Sequence, residues 1–287
     1  MPNKSTPSEK HSRLFMHLDI LGFTQLLKTP KVVEKIFRII DNSNAHDDAH
    51  YRVILFSDTV LIYNRLSCLS KKSKQVELMY LIEFGQDIMR RLACENIFFR
   101  GLITEGEFTV VDNLKHHKAY YGHALVETHS DEKSISGVGV FVNKKLRPYM
   151  TVFKRREFSE KYDFIYTAQN IMRLEPFEET DGNKICDTFY PIAPEILLCD
   201  GSHIRIYPEI RLLISIYKNT FHADPQVRAK YLNTLRMYEL ILPNLVRIIQ
   251  SNKFNFKMIC EIDWREAENE YKQKRKYFHT LNHGFVL

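Results

Sequence analysis

Length, composition and charge indicate a globular chain of 287 residues, enough for one large domain or two small ones. Apolar residues make up 44% of the chain, and 41 basic against 35 acidic side chains give a net charge of +6. This mild, scattered excess suits a small anionic ligand and argues against nucleic-acid binding. The five cysteines form no CxxC pair, and no run approaches the roughly 18 apolar residues of a membrane span. We therefore expect a cytoplasmic protein with reduced thiols and no membrane contact.

Strand-like and helix-like segments alternate through the first half of the chain, after a flexible arm at 1–12. In order, they are a strand over 13–20, a helical stretch from 22 to 40, a hairpin over 51–63, a helix over 71–94, strands over 97–103 and 105–111, a helix over 123–133 and a strand over 137–142. This order predicts an α+β fold of ferredoxin-like or palm type, in which helices pack against one antiparallel sheet. We expect this sheet domain to occupy residues 13–142.

The pattern weakens after residue 142, where prolines and charge clusters interrupt short strand-like pieces. We treat residues 143–206 as an irregular mixed segment and residues 207–287 as a helical extension. Helices are predicted over 208–221, 225–250 and 263–278. Asp224 should cap the second of these, since Pro225 follows it at the first helical position.

Two acidic residues interrupt the apolar strands at positions where neither core packing nor strand propensity favours them. Asp19 ends the first strand in the run LDILGFT, and Asp58 lies at the hairpin tip in the run FSDTVLIY. Each acid has a simple structural explanation, because Asp19 can cap the following helix and Asp58 can occupy a turn. Both acids nevertheless fall at strand ends, where functional sites are commonly built.

Four sequence blocks occur in the order LDILGFT, FSDTVLIY, RGLITEGEF and YYGHALVETHSDEK. Together they resemble the class III nucleotidyl cyclases. More narrowly, they are similar to the bacterial pyrimidine nucleotide cyclases of the Pycsar anti-phage systems. The resemblance covers roughly the first half of the chain, and it implies the same α+β fold as the order of strands and helices.

In this family the ribose 3′-hydroxyl of a nucleoside triphosphate attacks the α-phosphorus and pyrophosphate leaves. The resemblance implies two Mg²⁺ or Mn²⁺ ions held by Asp19, Asp58 and the carbonyl oxygen of Ile20. It also implies that the helix start at Leu21, Gly22, Phe23 and Thr24 binds the phosphates. A homodimer with shared active sites and a cyclic product that acts on a separate effector in phage defence are further implications.

The chain departs from the purine cyclases at the positions that recognise the base. Ile54 stands where a base-reading Lys is common, and Ala119 lies near the position of the acid that reads a purine. These differences favour a pyrimidine substrate, UTP or CTP. Arg52, on the same strand face as Ile54, and Arg100, on the central strand, are the candidates for reading the base or clamping phosphate.

Two further departures leave alternatives open. Val126 and Ser130 stand where the family carries an Asn and an Arg that stabilise the transition state. The protein is therefore either a cyclase for a different base or a catalytically degenerate, nucleotide-binding or regulatory relative. A palm-type polymerase or nuclease would also use two carboxylates with two metal ions, although the scattered charge argues against it.

Overall fold

The computed structural model describes these parts of the chain: residues 12–42, 50–65, 70–93, 95–111, 114–150, 153, 155–166, 172–174, 189–191, 203–255, 265 and 269. The five cysteines, most of the predicted arm and the predicted helix over 263–278, apart from residues 265 and 269, lie outside these ranges. None of the helices in the described part combines the length and apolar character needed to span a bilayer.

A seven-stranded sheet forms the centre of the protein, with its strands in the order β2-β3-β1-β4-β7-β9-β8. Neighbouring strands are antiparallel except β4 and β7, which are parallel. The strands are β1 (Ser12–Ile20), β2 (Tyr51–Phe56), β3 (Thr59–Asn64), β4 (Phe99–Glu107), β5 (Thr109–Val111), β6 (Ala119–Tyr121), β7 (Gly139–Asn143), β8 (Arg155–Glu157), β9 (Tyr162–Ile165), β10 (Met172–Leu174) and β11 (Phe189–Pro191). β5 pairs with β6 and β10 with β11 in two separate ribbons.

Helices are interleaved with the strands in the first half and dominate the described C-terminal part. They are α1 (Phe23–Leu26), α2 (Pro30–Asp41), α3 (Lys71–Ala93), α4 (His123–Glu132), α5 (His203–Asn219), α6 (Pro225–Ile241) and α7 (Pro243–Ser251), with a 3₁₀ helix at Lys144–Tyr149. Pro30, Pro225 and Pro243 each stand in the first turn of a helix, where the missing N–H group costs nothing. The Asp224 carboxylate accepts hydrogen bonds from the N–H groups of Gln226 and Val227, which confirms the predicted cap.

The two faces of β1 have different surroundings because successive side chains point to opposite sides of a sheet. Leu14, Met16, Leu18 and Ile20 belong to the large core that also contains buried residues of α2, α3 and the C-terminal helices. Phe15 lies on the other face, in a small cluster with Phe108 of the β4–β5 connection and Ala124 of α4. His17 and Asp19 follow Phe15 on this second face, which carries the polar groups described below.

The predicted α+β fold with a largely antiparallel sheet is confirmed. The sheet also extends past residue 142, because β8 and β9 add two strands up to Ile165. These strands have only three and four residues, too few to show a clear alternation of apolar and polar positions.

Three predicted element boundaries were wrong. β4 is one strand of nine residues, although the sequence suggested a break near residue 104. The predicted helix over 225–250 is two helices, since Pro243 has no N–H group with which to continue α6. α5 begins at His203, five residues before the predicted start at residue 208.

Candidate functional site

Asp19 is the penultimate residue of the inner strand β1, in register with Thr59 of β3 and Arg100 of β4. Side chains of directly opposed residues lie on the same face, so these three groups are neighbours. Asp19 is mostly buried, with 17% of its side chain exposed. A carboxylate in this position needs a partner, because burying an unpaired charge is costly.

Asp58 belongs to the two-residue turn that joins β2 to β3. Its neighbour Ser57 has a φ of 55°, the left-handed conformation that tight hairpin turns require. The Asp58 carbonyl oxygen accepts a hydrogen bond of 2.9 Å from the N–H group of Ile20. The structure thus brings the Asp58 turn against the end of β1. The half-buried Asp58 directly precedes Thr59, the residue opposed to Asp19.

Arg100 links Asp19 to α4. Its Nη2 atom donates to Asp19 Oδ2 over 2.9 Å and also to Glu132 Oε1, while Nη1 donates to the carbonyl oxygen of Ile135 over 3.0 Å. The Arg100 side chain is only 6% exposed. Both terminal nitrogens of Arg100 are thus engaged, whereas its buried Nε atom has no hydrogen-bond partner among the described residues.

The electrostatic environment of Asp19 is dominated by burial and by neighbouring carboxylates. Burial, followed by the charge of Glu132, raises the pKa of Asp19 to about 7, and Arg100 offsets only part of this effect. Asp58 contributes a smaller upward effect, which places its charge within electrostatic reach of Asp19. Burial therefore makes the charged form of Asp19 costly, and a bound cation would stabilise that form.

Two imidazoles border the same group of charges. His17 precedes Asp19 on the same face of β1, and its Nδ1 atom lies 3.8 Å from Glu132 Oε2. His129 of α4 places its own Nδ1 atom 3.9 Å from the same oxygen. Burial lowers the pKa of His17 to about 4, since the attraction of Glu132 compensates only in part. The His17 imidazole is thus uncharged near neutral pH.

The predicted phosphate-binding stretch is a single helical turn. Gly22 precedes α1 with a φ of 72°, and a Cβ atom added there would meet no other atom within 4 Å. Gly22 and Thr24 are exposed, Leu21 is half-buried, and Phe23 packs into the core against Phe37. The backbone on the outer side of this turn is therefore accessible, although α1 has only four residues.

Arg52 lies apart from the two acids. It pairs with Tyr63, four residues along β2 from Phe56, which is opposed to Thr59. At about 3.4 Å per residue, this places its backbone about 14 Å from Phe56 at the end of β2. Arg52 is exposed and donates to the carbonyl oxygen of Tyr51. Arg52 shares the strand face of Ile54 as predicted, but the structure does not bring it next to Asp19.

A lysine from the C-terminal helices also reaches the site. Lys230 of α6 is half-buried, and its pKa is lowered by burial and by the charge of Arg100, while Asp19 and Glu132 act in the opposite direction. α6 is fixed against the segment before β7, because Thr234 Oγ1 accepts from the N–H group of Val138 over 2.8 Å. The helical extension therefore contributes a cation to the neighbourhood of Asp19.

The sequence analysis did not single out His17, His129, Glu132 or Lys230. Two of these had a readable signal, because His129 and Glu132 are three residues apart and share one face of a helix. His17 and Asp19 are two residues apart on a strand and so share its face. Lys230 had no such signal, since its position depends on how α6 packs against the segment before β7.

No protein-family model matches the chain, and no curated protein matches it. Among solved structures, the chain is similar to a guanylyl cyclase domain of the RhoGC fusion protein from the aquatic fungus Blastocladiella emersonii, solved as a monomeric double mutant. The two share 18% identity, and the TM-score is 0.43 over 56% of this chain and 97% of that one. The guanylyl cyclase Cya2 is similar at 9% identity, with a TM-score of 0.40 over 56% of this chain and 93% of that one. A bacterial light-regulated adenylyl cyclase gives 8% identity and a TM-score of 0.39 over 55% of this chain and 92% of that one. At such low similarity, the chemistry of the site has to be inferred from the chain's own residues.

Proposed function

We propose that the protein is a nucleotide cyclase that converts UTP or CTP to the 3′,5′-cyclic monophosphate and pyrophosphate. The observation that carries this proposal is the meeting of two strand ends, where the Asp58 turn is hydrogen-bonded to Ile20, next to Asp19. The four sequence blocks with their absent purine-reading Lys support the choice of a pyrimidine base. The cyclic product would act on a separate effector in phage defence.

The residues at the end of β1 and in the β2–β3 turn fit a pair of hard divalent cations. Asp19, Asp58 and the carbonyl oxygen of Ile20 supply only oxygen ligands, which Mg²⁺ and Mn²⁺ prefer. Burial, followed by the charge of Glu132, raises the pKa of Asp19, and a bound cation would stabilise the charged form of this carboxyl group. When bound, such ions would lower the pKa of the ribose hydroxyl and neutralise charge on the phosphates.

The protein's own groups then have separate tasks. Arg100 holds the carboxylate of Asp19 in place through its bond to Oδ2, and it is itself fixed by Glu132 and Ile135. The open backbone at Gly22 lets a phosphate group approach the helix start. Lys230 adds a positive charge on the side of α6, where it can balance the triphosphate. Base recognition is assigned to the surface around Ile54 and Arg52, with Arg100 as the buried alternative.

A homodimer is part of this proposal, because the described chain offers few groups above the site that could read a base. Apolar side chains are exposed on the adjacent elements, including Phe56 at the hairpin tip and Val126 on α4, with exposed fractions of 76% and 63%. A second copy of the chain that covers these residues would enclose the nucleotide and supply the missing contacts.

The direct test is incubation of the purified protein with each of the four nucleoside triphosphates and Mn²⁺, followed by separation of cyclic products. We expect a cyclic pyrimidine nucleotide together with pyrophosphate. Cyclic AMP or cyclic GMP as the main product would refute the base assignment but not the reaction. No cyclic product, under conditions in which a control cyclase is active, would refute the proposed reaction.

A second candidate function is nucleotide binding without turnover. It is favoured by the ion pair between Asp19 and Arg100. It is also favoured by the exposed Val126 and Ser130, which lack the amide and the positive charge of the expected Asn and Arg. In this case the protein would bind a triphosphate and regulate a partner through its helical extension. Saturable triphosphate binding in the absence of cyclic product would distinguish this function from the first.

A further inference from the structure

One side-chain cluster beside Asp19 offers nitrogen ligands as well as a carboxylate oxygen. His17, His129 and Glu132 each offer one ligand atom, and these three atoms lie within 4.8 Å of one another. His17 comes from β1, whereas His129 and Glu132 come from one face of α4. The cluster therefore depends on the packing of α4 over the sheet.

The buried imidazole of His17 lacks a hydrogen-bond partner at one nitrogen. Its side chain is 3% exposed, and its Nδ1 atom has no partner in the structure although it points toward Glu132 Oε2 at 3.8 Å. Buried polar atoms are nearly always bonded, so an orphan of this kind calls for a ligand. A metal ion between His17 and Glu132 would satisfy the Nδ1 lone pair.

A hydrogen bond from Arg100 to one carboxylate oxygen orients Glu132 for this role. Arg100 donates to Oε1, and Oε2 faces both imidazoles, at 3.8 Å from His17 and 3.9 Å from His129. A hydrogen bond that fixes a ligating carboxylate is the usual support of a metal site. Arg100 would therefore hold the ligand without competing for the oxygen that binds the ion.

We propose that His17, His129 and Glu132 form a binding site for a transition-metal ion, with Zn²⁺ as the best match. Two nitrogens and one carboxylate oxygen are a common zinc ligand set, and a fourth position stays open for water. Ligand atoms about 2.1 Å from a tetrahedral ion lie roughly 3.4 Å apart. The distances of 3.8 Å and 3.9 Å from the two imidazoles to Glu132 Oε2 must therefore shorten by a few tenths of an ångström. His129 can make this adjustment, because its side chain is 67% exposed.

This site is chemically different from the one proposed for Mg²⁺ or Mn²⁺ and does not depend on cyclase activity. Asp19, Asp58 and the Ile20 carbonyl offer hard oxygens, which suit ions that bind imidazole weakly. The two imidazoles instead favour borderline ions such as Zn²⁺ and Co²⁺. An excess of Mg²⁺ should therefore occupy the oxygen site without displacing an ion from the imidazoles.

The test is a Co²⁺ titration of the full chain, stripped of metal beforehand, in the presence of excess Mg²⁺. We expect one equivalent of Co²⁺ to give the visible absorption of a four- or five-coordinate ion, and Zn²⁺ to remove it. His129→Ala should weaken binding by at least about 100-fold, as expected for a direct ligand. Because His129 is exposed, this substitution should leave the fold intact, which circular dichroism checks.

Three control variants make the result specific. His123→Ala removes another exposed imidazole of α4, and a variant with both His116→Ala and His117→Ala removes two from a loop. Asp58→Asn removes an acid of the oxygen site. All three should retain the Co²⁺ signal. A signal that survives His129→Ala, disappears in any control, or is absent from the wild-type protein would overturn the proposal.

Discussion

The two faces of the β1 strand show how one segment serves both folding and chemistry. Leu14, Met16 and Leu18 are at most 1% exposed and belong to the large core shared with α3. On the opposite face, the alternate positions hold Phe15, His17 and Asp19, and the polarity rises toward the strand end. The first face contributes apolar burial, and the second positions groups that are costly to bury. We therefore expect substitutions on the two faces to separate stability from activity.

The largest stability effect should come from the apolar face. Leu18→Ala removes a fully buried side chain and leaves a cavity, so the free energy of unfolding should fall by about 2–5 kcal/mol. Urea denaturation followed by circular dichroism measures this change. A loss below about 1 kcal/mol would mean that the core collapses around the missing side chain.

Asp19→Asn is the matched change on the opposite face, one residue further along the strand. It removes a carboxylate whose pKa is raised mainly by burial, so the free energy of unfolding should stay nearly constant or increase. Turnover should nevertheless be lost, because a ligand of the proposed metal pair is missing. Strong destabilisation by Asp19→Asn would show instead that the acid is a structural partner of Arg100.

Glu209, a buried acid beside the large core, provides a second comparison between burial and charge. Glu209 of α5 is 1% exposed and lies 3.8 Å from Arg90 of α3, and burial raises its pKa to about 7. An acid whose folded pKa exceeds its unfolded value near 4.5 stabilises the fold fully only below that lower value, and this contribution is lost as the pH rises through 7. Glu209→Gln should therefore raise unfolding free energy relative to wild type between pH 5 and pH 8, by up to about 3 kcal/mol.

Denaturation of both proteins at pH 5, 6.5 and 8 measures this difference. Exposed Glu160→Gln serves as the control, because a carboxyl group at the surface should leave the pH dependence unchanged. Parallel pH profiles for wild type and Glu209→Gln would show that Arg90 compensates the buried charge completely.

The smallest effect should come from the start of α6, the helix that carries Lys230. Asp224→Ala removes the side chain that accepts from the N–H groups of Gln226 and Val227, so the free energy of unfolding should fall by about 1 kcal/mol. Thermal denaturation of Asp224→Ala beside the wild-type protein measures it. No change would mean that Pro225 alone is enough to start the helix.

Local signals in the sequence were sufficient for the elements near the site. The apolar run in LFMHLDI predicted β1, and the Asp-Pro pair at residues 224 and 225 predicted the start of α6. Asp19 and Asp58 were recognised because an acid in an apolar run is conspicuous. These features depend on neighbouring residues only, so a sequence can reveal them.

Features that depend on distant contacts could not be read in the same way. Glu132 and Lys230 approach Asp19 only because α4 and α6 pack near the end of β1. Arg100 was predicted to contact the substrate, but this packing places it in ion pairs with Asp19 and Glu132. β8 and β9 could not be placed in the sheet from sequence, because short strands acquire their place from their neighbours.

The most direct test of the central claim is a comparison of wild-type protein, Asp58→Ala and Asp41→Ala in the presence of Mn²⁺ and each pyrimidine triphosphate. Asp58 is the acid that the β2–β3 turn brings to β1, whereas Asp41 is an exposed acid at the end of α2. We predict that wild type and Asp41→Ala form a cyclic pyrimidine nucleotide and that Asp58→Ala forms none while it stays folded. Equal turnover by Asp58→Ala, or no cyclic product from the wild-type protein, would contradict the account.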